Sequence, residues 1–406
     1  MRIALVSPYD YPYPGGVTEH IAHLEEYFTL QGHQVKIIAP SSSDKEDLAL
    51  KGNILKVGSV VPIPANGSVA RITLSLRLSG KVKRILREEA FDVVHLHEPL
   101  TPALPLTVLH HSHAVNIGTF HRYGGTHLMY YYGKPILKRF FNMLDGRIAV
   151  SEPALRFVSR HFPAKYIIIP NGIDLAHFGP HVPPIEDLCD GKLNILFVGR
   201  LEKRKGFSYL LRAFLRAKQE MSNLRLVVVG PYNAKAQHHY ENFVLSHNLS
   251  DVHFVGYVSK EELARYYRSC DIFCAPSTGG ESFGIILLEG MASGKPIIAS
   301  DIDGYRCVVA NGREGLLVRP KDDEELADAL LRLLRNPDLR REMGRQGFIT
   351  AEQYSWEKVA GRVLAYYQAV LHACGVPPET IGAHGQSPAL TPPWLPVPQA
   401  DSTRGT

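Results

Sequence analysis

Residues 2–39 read RIALVS (2–7), PYDYPYPGG (8–16), VTEHIAHLEEYFTL (17–30), QGHQ (31–34) and VKIIA (35–39). The first segment is a short apolar run with the look of a buried strand. In the third, Ile21, Leu24 and Phe28 recur at three- and four-residue spacing, the core-facing stripe of a helix. Gly32 stops that helix and Val35–Ala39 forms the next strand. Strand, glycine-bearing loop, helix and strand make a βαβ unit, which implies a parallel sheet. Further strands are expected at Val93–Leu96, Ala114–Thr119 and Gly146–Val150. The pattern then restarts: strand Asn194–Val198, helix Ser208–Gln219, strand Arg225–Gly230, and strands at Val252–Val255, Asp271–Ala275, Pro296–Ser300 and Gly315–Val318.

The fold expected is therefore α/β, with two Rossmann-like doubly wound units in tandem. The join falls near Asp174–Lys192, where Pro180, Pro183 and Pro184 interrupt regular structure. Residues 1–173 form the first unit and 174–354 the second. A last helix, Trp356–His372, lies within 355–374. Residues 375–406 hold seven prolines without periodicity and read as a disordered tail.

Composition narrows the function classes. Of 406 residues 45% are hydrophobic and 21% charged, as in an ordinary globular protein. No apolar run is long enough to span a bilayer. The opening residues lack the apolar stretch and cleavage site of a secretory signal, so the reading is cytoplasmic. The net charge of +5 permits an anionic substrate or surface. Five cysteines, none in a Cys-x-x-Cys pair, read as buried thiols in a reducing compartment.

Three motifs carry chemistry. Gly15-Gly16, between strand and helix, lets backbone approach a ligand at a helix N-terminus, although a tight turn needs glycine equally well. Gly199-Arg200-Leu-Glu202-Lys203-Arg204-Lys205-Gly206 puts four cations into six residues directly after a strand. Ligands of α/β sheets bind beyond the carboxyl ends of strands, so a phosphate is favoured over a merely solvated loop. Gly279-Gly280-Glu281-Ser282-Phe283-Gly284 leads into an apolar helix that carries Glu289. Backbone N–H groups at Phe283 and Gly284 suit a phosphate, and the two carboxylates suit sugar hydroxyls. The alternative is that Glu281 caps the helix and Glu289 pairs on the surface.

Together these motifs resemble the retaining glycosyltransferases of family 4, whose fold is the GT-B arrangement of two Rossmann-like domains with a cleft between them. Glu281 and Glu289 match the Glu-x7-Glu signature of that family. Gly199, Arg200, Lys205 and Gly206 match its cationic loop, and Gly15-Gly16 and Pro170-Asn171-Gly172-Ile-Asp174 also fit. More narrowly, the chain is similar to the phosphatidylinositol α-mannosyltransferases through Pro62-Ile-Pro64, Asn66-Gly67-Ser68-Val-Ala-Arg71, Gly280–Gly284 and Ala299-Ser-Asp301. Ala65 departs from that pattern, which has Tyr there, and so does Arg122–Thr126, where a Thr/Ser-rich run is usual.

This resemblance implies roles. His121, Arg200, Lys205 and Glu281 are catalytic. Gly15, Gly16, Arg200, Lys205, Val258, Glu281, Phe283, Gly284 and Glu289 bind the donor, a nucleotide-sugar for which GDP-mannose is the expectation. Asn66, Ser68 and Arg71 bind a phosphatidylinositol-like acceptor. No cofactor or metal is required, and the helix from Trp356 returns to the first domain. The other readings are a family 4 enzyme using a UDP-sugar or other donor on a diacylglycerol or soluble acceptor, and a catalytically silent sugar-nucleotide binder.

Membrane contact has a separate argument. Arg71, Arg77, Lys81, Lys83, Arg84 and Arg87 are six cations in 17 residues with no acid among them. Leu78, Val82, Ile85 and Leu86 form one helical stripe. Such a helix suits the inner face of an anionic cell membrane. It suits equally an ordinary surface helix with a basic edge. Nucleic acid is not expected, since the patch lacks interleaved aromatic residues. The clusters His95-Leu-His97-Glu98 and His110-His-Ser-His113 raise a metal reading, set aside because nothing shows three ligands converging.

Overall fold

The computed structural model describes the chain to Val376, apart from residues 12, 14, 43–52, 66–67, 74, 76–77, 125–126 and 233. The side chains of 63–65, 68–70, 127–129 and 234–236 also lie outside the description. The chain divides into two compact units, Met1–Pro170 with the chain from Trp356 onward, and Asn171–Ser355.

The first part of the N-terminal unit runs β1 (Arg2–Val6), α1 (Gly16–Leu30), β2 (Gln34–Ala39), β3 (Ile54–Lys56), β4 (Val61–Ala65), β5 (Ser68–Ile72), α2 (Ser79–Glu89), β6 (Val93–His97), α3 (Leu104–His111), β7 (Val115–Phe120), α4 (His127–Tyr132), α5 (Lys134–Phe141), β8 (Gly146–Ala149), α6 (Glu152–His161) and β9 (Ile167–Ile168). The second unit holds β10 (Leu193–Val198), α7 (Phe207–Glu220), β11 (Leu224–Val229), α8 (Ala234–Ser246), β12 (Val252–Gly256), α9 (Lys260–Ser269), β13 (Ile272–Ala275), α10 (Ile285–Ala292), β14 (Ile297–Ser300), α11 (Asp303–Arg306), β15 (Gly315–Val318), α12 (Asp323–Leu334) and α13 (Pro337–Ala351). Helix α14 (Trp356–Ala373) then completes the first unit.

Both large sheets are parallel throughout. Their strand orders are β3-β2-β1-β6-β7-β8-β9 and β12-β11-β10-β13-β14-β15. Each winds outward from a central strand in one direction and then in the other. Strand order reverses between β1 and β6 in the first sheet and between β10 and β13 in the second. At such switch points the loops leaving the strand ends diverge and open a crevice for ligand.

In the N-terminal unit the sheet separates two cores. Ile21, Leu24 and Phe28 of α1 pack with Val359, Ala360, Val363 and Tyr367 of α14 on one face. Helices α2, α3 and α5 pack on the other through Val82, Ile85, Leu104, Val108, Leu137 and Phe141. The whole apolar stripe of α2 points into this core, with Leu78, Val82 and Ile85 buried and Leu86 packed beside them. That corrects the expectation of an amphipathic helix lying apolar-side down on a membrane: periodicity shows that a stripe is buried, and here the protein's own sheet buries it. Lys81, Lys83, Arg84 and Arg87 lie on the other side of the helix, while Arg77 lies outside the described residues.

Strands β4 and β5 form an antiparallel hairpin that the sequence reading missed, although Asn66-Gly67 between two β-branched runs is a recognised hairpin signal. The hairpin lies against the loop after β1, where Asp10 N–H donates to Arg71 O at 2.9 Å and Tyr9 bridges Ile72. The thiols also depart in part from expectation. All five cysteines are free, but only Cys270 and Cys274 are buried, whereas Cys189 and Cys374 are exposed.

Tyr367 is fully buried against the sheet, and its hydroxyl lies 2.6 Å from His95 Nδ1. Removing the ring by Tyr367→Ala is expected to cost about 3–5 kcal/mol in urea unfolding. Tyr367→Phe leaves a buried imidazole nitrogen unpaired and is expected to cost about 1–3 kcal/mol. A Phe variant as stable as the parent would show that the hydrogen bond does not stabilise the unit.

Candidate active site

The C-terminal unit builds its site on the two strands that flank its switch point. After β10 the chain passes Gly199, makes a 3-10 turn over Lys203–Lys205 and enters α7 through Gly206. Gly206 has φ +72°, and a Cβ there would stand 1.9 Å from Pro276 O. No other residue fits where this turn meets the loop after β13. The two loops are stitched together: Thr278 N–H donates to Arg204 O at 2.8 Å, and Thr278 Oγ1 donates to the same oxygen at 3.2 Å.

Glu281 sits at the centre of that seam. Lys205 Nζ donates to its Oε1 at 2.8 Å, Arg204 Nη1 at 2.5 Å and Ser277 Oγ at 3.3 Å. Tyr305 Oη in turn donates to Ser277 Oγ at 2.9 Å. All three donors meet one oxygen, which leaves Oε2 without a protein donor among the described residues. Burial raises the carboxyl pKa, but Lys205 and Arg204 outweigh it and hold the group below its ordinary value. Glu281 is thus an anion fixed by two cations, not a helix cap; α10 has no side-chain cap at all.

Gly284 precedes α10 at φ +101°, and a Cβ there would press within 2.8 Å of the Tyr305 ring. Among the described residues no side chain caps the start of α10, which begins beside buried Phe283. Glu289 lies one face further on, where its Oε2 accepts from Tyr267 Oη at 2.8 Å. Val258 is half-buried on the loop between β12 and α9, next to exposed Tyr257.

Arg200 stands apart from Glu281. Its Nη1 pairs with Glu202 Oε1 at 2.9 Å, and its side chain is 42% exposed. The cation that joins Lys205 on Glu281 is Arg204, which sequence reading placed in the motif without a role. Spacing alone does not say which arginine of a basic turn points inward; the signal was Gly280, whose missing side chain leaves room for the Arg204 stem at 3.0 Å.

The N-terminal unit assembles a different environment at the ends of β6 and β7. His95 and His97, on one face of β6, are fully buried, and His20 of α1 reaches the same place. His97 Nδ1 lies 3.0 Å from His121 Nε2. His95 Nε2 lies 2.6 Å from Thr119 Oγ1. The His20 ring stands edge-on to His97, His121 and Trp356 at centroid distances of 5.0 to 5.2 Å. Burial, reinforced by neighbouring imidazoles, pushes His97 and His121 well below the usual histidine pKa and His95 down to about 3. His121 is therefore neutral at physiological pH, with one proton shared between its Nε2 and the facing nitrogen of His97.

Glu98, which the sequence offered only as part of a histidine cluster weighed for metal, positions His121. It follows β6 at φ +50°, and its Oε1 accepts from the His121 N–H at 2.7 Å. Its Oε2 stands 3.5 Å from Arg122 Nε, and burial raises its pKa against the pull of Arg122. Arg71 lays its guanidinium over the Tyr13 ring at 4.2 Å. Asn66 and the side chain of Ser68 lie outside the described residues. Gly15 is extended at φ −174°, and a Cβ there would only touch Thr18 Oγ1 at 3.6 Å. The turn itself does not demand glycine at 15, so the tight-turn explanation fails at that position.

Among the described residues no three His, Cys, Asp or Glu side chains converge to hold a metal ion. The Asp301-Ile302-Asp303 spacing is engaged by Arg306, whose Nη2 lies 2.7 Å from Asp301 Oδ2.

The histidines set a pH dependence. A base kept neutral in the fold stabilises it above the unfolded pKa of 6.5 and loses that stability as pH falls towards the folded value. For His95 the loss runs from pH 6.5 to about 3, at about 1.4 kcal/mol per pH unit. Unfolding free energy is expected to drop steeply below pH 6.5, and His95→Gln to flatten the slope by that amount. An unchanged slope in the variant would contradict a neutral buried His95.

Known proteins match this chain along its length. The model described as Glycosyltransferase Family 4 covers residues 14–177, and that described as Glycosyl transferases group 1 covers residues 183–349. A phosphatidyl-myo-inositol mannosyltransferase of Mycobacterium leprae is 36% identical over 371 residues, 91% of this chain and 97% of the relative. One of Mycolicibacterium smegmatis is 34% identical over 384 residues, 94% and 97% of the two chains. Among solved structures, sucrose-phosphate synthase from Thermosynechococcus elongatus superposes with TM-score 0.68 at 23% identity, over 92% of this chain and 99% of the other. Anabaena HepE in complex with UDP gives TM-score 0.73 at 15% identity, over 91% and 100%. These two share the fold, the GT-B class with its pair of Rossmann-like units. With 36% identity sustained over 91% of its length, the chain belongs to glycosyltransferase family 4, in the group of the phosphatidyl-myo-inositol mannosyltransferases.

Proposed function

We propose that this glycosyltransferase moves mannose from GDP-mannose, with retention of the α configuration and without a metal ion, onto the head group of a phosphatidylinositol-type lipid at the cytoplasmic face of the membrane. The observation that carries the proposal is the fixed Glu281 carboxylate, with Lys205 and Arg204 on one oxygen and the other oxygen open. A half-buried anion so held is a rigid acceptor for donor-sugar hydroxyls, and the cations around it suit a diphosphate. The mannosyltransferase relatives support the sugar and the acceptor.

Negative charge grows on the β-phosphate as the glycosidic bond breaks. Lys205, Arg200 and the N–H groups following Gly284 stabilise it, in a setting where fixed donors need no reorganisation. Glu281 holds hydroxyls of the sugar, Glu289 the ribose, and the loop with Val258 the base. His121 is uncharged through burial and offers the reacting sugar a hydrogen bond without repelling an oxocarbenium-like transition state. No side chain serves as a covalent nucleophile. The acceptor hydroxyl attacks from the face the diphosphate leaves and passes its proton to a phosphate oxygen. Arg71, Asn66 and Ser68 bind the acceptor's anionic head. Lys81, Lys83, Arg84 and Arg87 draw the unit to anionic lipid, each worth about 1 kcal/mol near the surface.

Lys205→Ala is expected to lower kcat by about 10²–10³-fold. Arg200→Ala is expected to lower kcat as well, because the exposed side chain leaves Glu202 for the diphosphate in the donor complex. Near-normal transfer by the Lys205 variant would remove that residue from the reaction. Thermal-shift titration with GDP, UDP and ADP, each with magnesium or EDTA, reads the donor. Stabilisation by GDP that is indifferent to chelator is the expected result; a preference for UDP would overturn the mannosyl donor while leaving the family intact.

A further inference from the structure

The burial of the α2 stripe leaves the proposed membrane contact with charge alone, and charge alone gives weak, salt-sensitive adhesion. An apolar contribution is present elsewhere on the same side of the sheet. Tyr131 is 71% exposed, Tyr132 75% and Ile136 67%, three large apolar side chains within six residues. They span the end of α4 and the start of α5. The other exposed large hydrophobics among the described residues are scattered singly along the chain.

The surroundings of these side chains are basic. Residues 127–141 contain Lys134, Lys138 and Arg139 and no acid, and all three cations are exposed. Helix α3 packs against both α2 and α5, and all three bury their inner sides in one core. Their outer sides therefore share one side of the N-terminal sheet. That side carries Lys81, Lys83, Arg84 and Arg87 from α2 and Lys134, Lys138 and Arg139 from α5. Its acids on these helices are only Glu88 and Glu89, at the far end of α2. Aromatic rings with a polar tip, flanked by long cationic side chains, are the composition that settles at a lipid headgroup boundary.

We infer that the α4–α5 segment is the apolar anchor of a membrane-docking surface for an anionic bilayer, with Tyr131, Tyr132 and Ile136 entering the headgroup region and the cations of α2 and α5 pairing with lipid phosphates. This deepens the lipid-acceptor reading and rests on it. Docking then has two components. The cationic one fades as salt shortens the screening length, and the apolar one survives.

The test compares the full chain with a Tyr131→Ser/Tyr132→Ser/Ile136→Ser variant and a Lys81→Gln/Lys83→Gln/Arg84→Gln variant. Flotation uses phosphatidylcholine vesicles with and without phosphatidylglycerol, at low salt and at about 1 M salt, where the Debye length is about 3 Å. The glutamine variant is expected to lose low-salt binding to anionic vesicles. The serine variant is expected to lose the salt-resistant part, roughly a tenfold fall in partitioning. Sugar transfer onto a short-chain, water-soluble phosphatidylinositol is expected to be equal in the serine variant and the parent, and transfer onto vesicle-borne phosphatidylinositol to fall. A serine variant that floats like the parent at high salt overturns the anchor. So does a parent dimer that the serine substitutions make monomeric with vesicle binding intact, because a second copy would then cover the patch. Failure of the parent to use either form of phosphatidylinositol overturns the acceptor reading, and flotation still decides the surface.

Discussion

The C-terminal unit depends on one carboxylate oxygen. Oε1 of Glu281 holds Lys205, Arg204 and Ser277 together at the point where the loops after β10 and β13 meet. Two cations packed this closely would repel each other without it. Without them burial alone would push the carboxyl pKa up and disfavour the anion. Each charge is tolerable because of the other, and removing Glu281 takes away the anion that the two cations share. The glycines follow from this arrangement. Gly206 lets the two loops touch, and Gly280 makes room for the Arg204 stem. The cluster retains one net positive charge, and the open Oε2 is its only bare anionic face among the described residues.

The N-terminal unit solves a related problem without charge. Around its switch point stand His95 and His97 of β6, His20 of α1 and His121 just after β7, and of these His95, His97 and His121 are kept from protonating by burial and by neighbouring imidazoles. The buried anion beside them, Glu98, is spent on the backbone N–H of His121 and on Arg122. Neutral imidazoles have little hold on a phosphate but donate and accept well to hydroxyls. Cations do the reverse. Two units of the same winding thus carry opposite electrostatics at the same topological position, which fits the proposal that one serves the donor's diphosphate and the other the acceptor's hydroxyls.

Sequence pattern was most informative where a single period governs a segment. Apart from the short outer strands β3 and β9, which the apolar spacing did not place, the strands of both sheets and helices α1, α7 and α14 lie within a residue or two of where that spacing puts them, because a parallel sheet covered on both faces leaves little freedom in which residues are buried. It was least informative where the partner decides. The stripe of α2 was plain, but periodicity is silent on whether lipid or sheet covers it. The run from Arg200 to Lys205 was plain as well, yet its geometry turns on which arginine faces Glu281. The β4–β5 hairpin went unseen because Pro62 and Pro64 mask its strands, although Asn66-Gly67 marked the turn. The role of Glu98 was not legible, although the residue stood in a noted histidine cluster, because it lies in a backbone bond to a residue 23 positions away.

That distinction between a pattern and its partner applies to the basic face too. Counting cations over residues 71–87 singled out one helix, and its apolar stripe suited a membrane and a protein core equally well on sequence grounds. With that stripe buried, the count measures only a long-range attraction, which brings a protein to a surface without holding it there. Retention requires apolar area that the core has not used. On the α2, α3 and α5 side of the sheet, the large apolar side chains left over are at Tyr131, Tyr132 and Ile136. Attraction is thus shared by α2 and α5 while retention falls to the α4–α5 segment, stretches that are far apart in the sequence and that the fold brings to one side, an arrangement that the apolar spacing of one helix alone does not reveal.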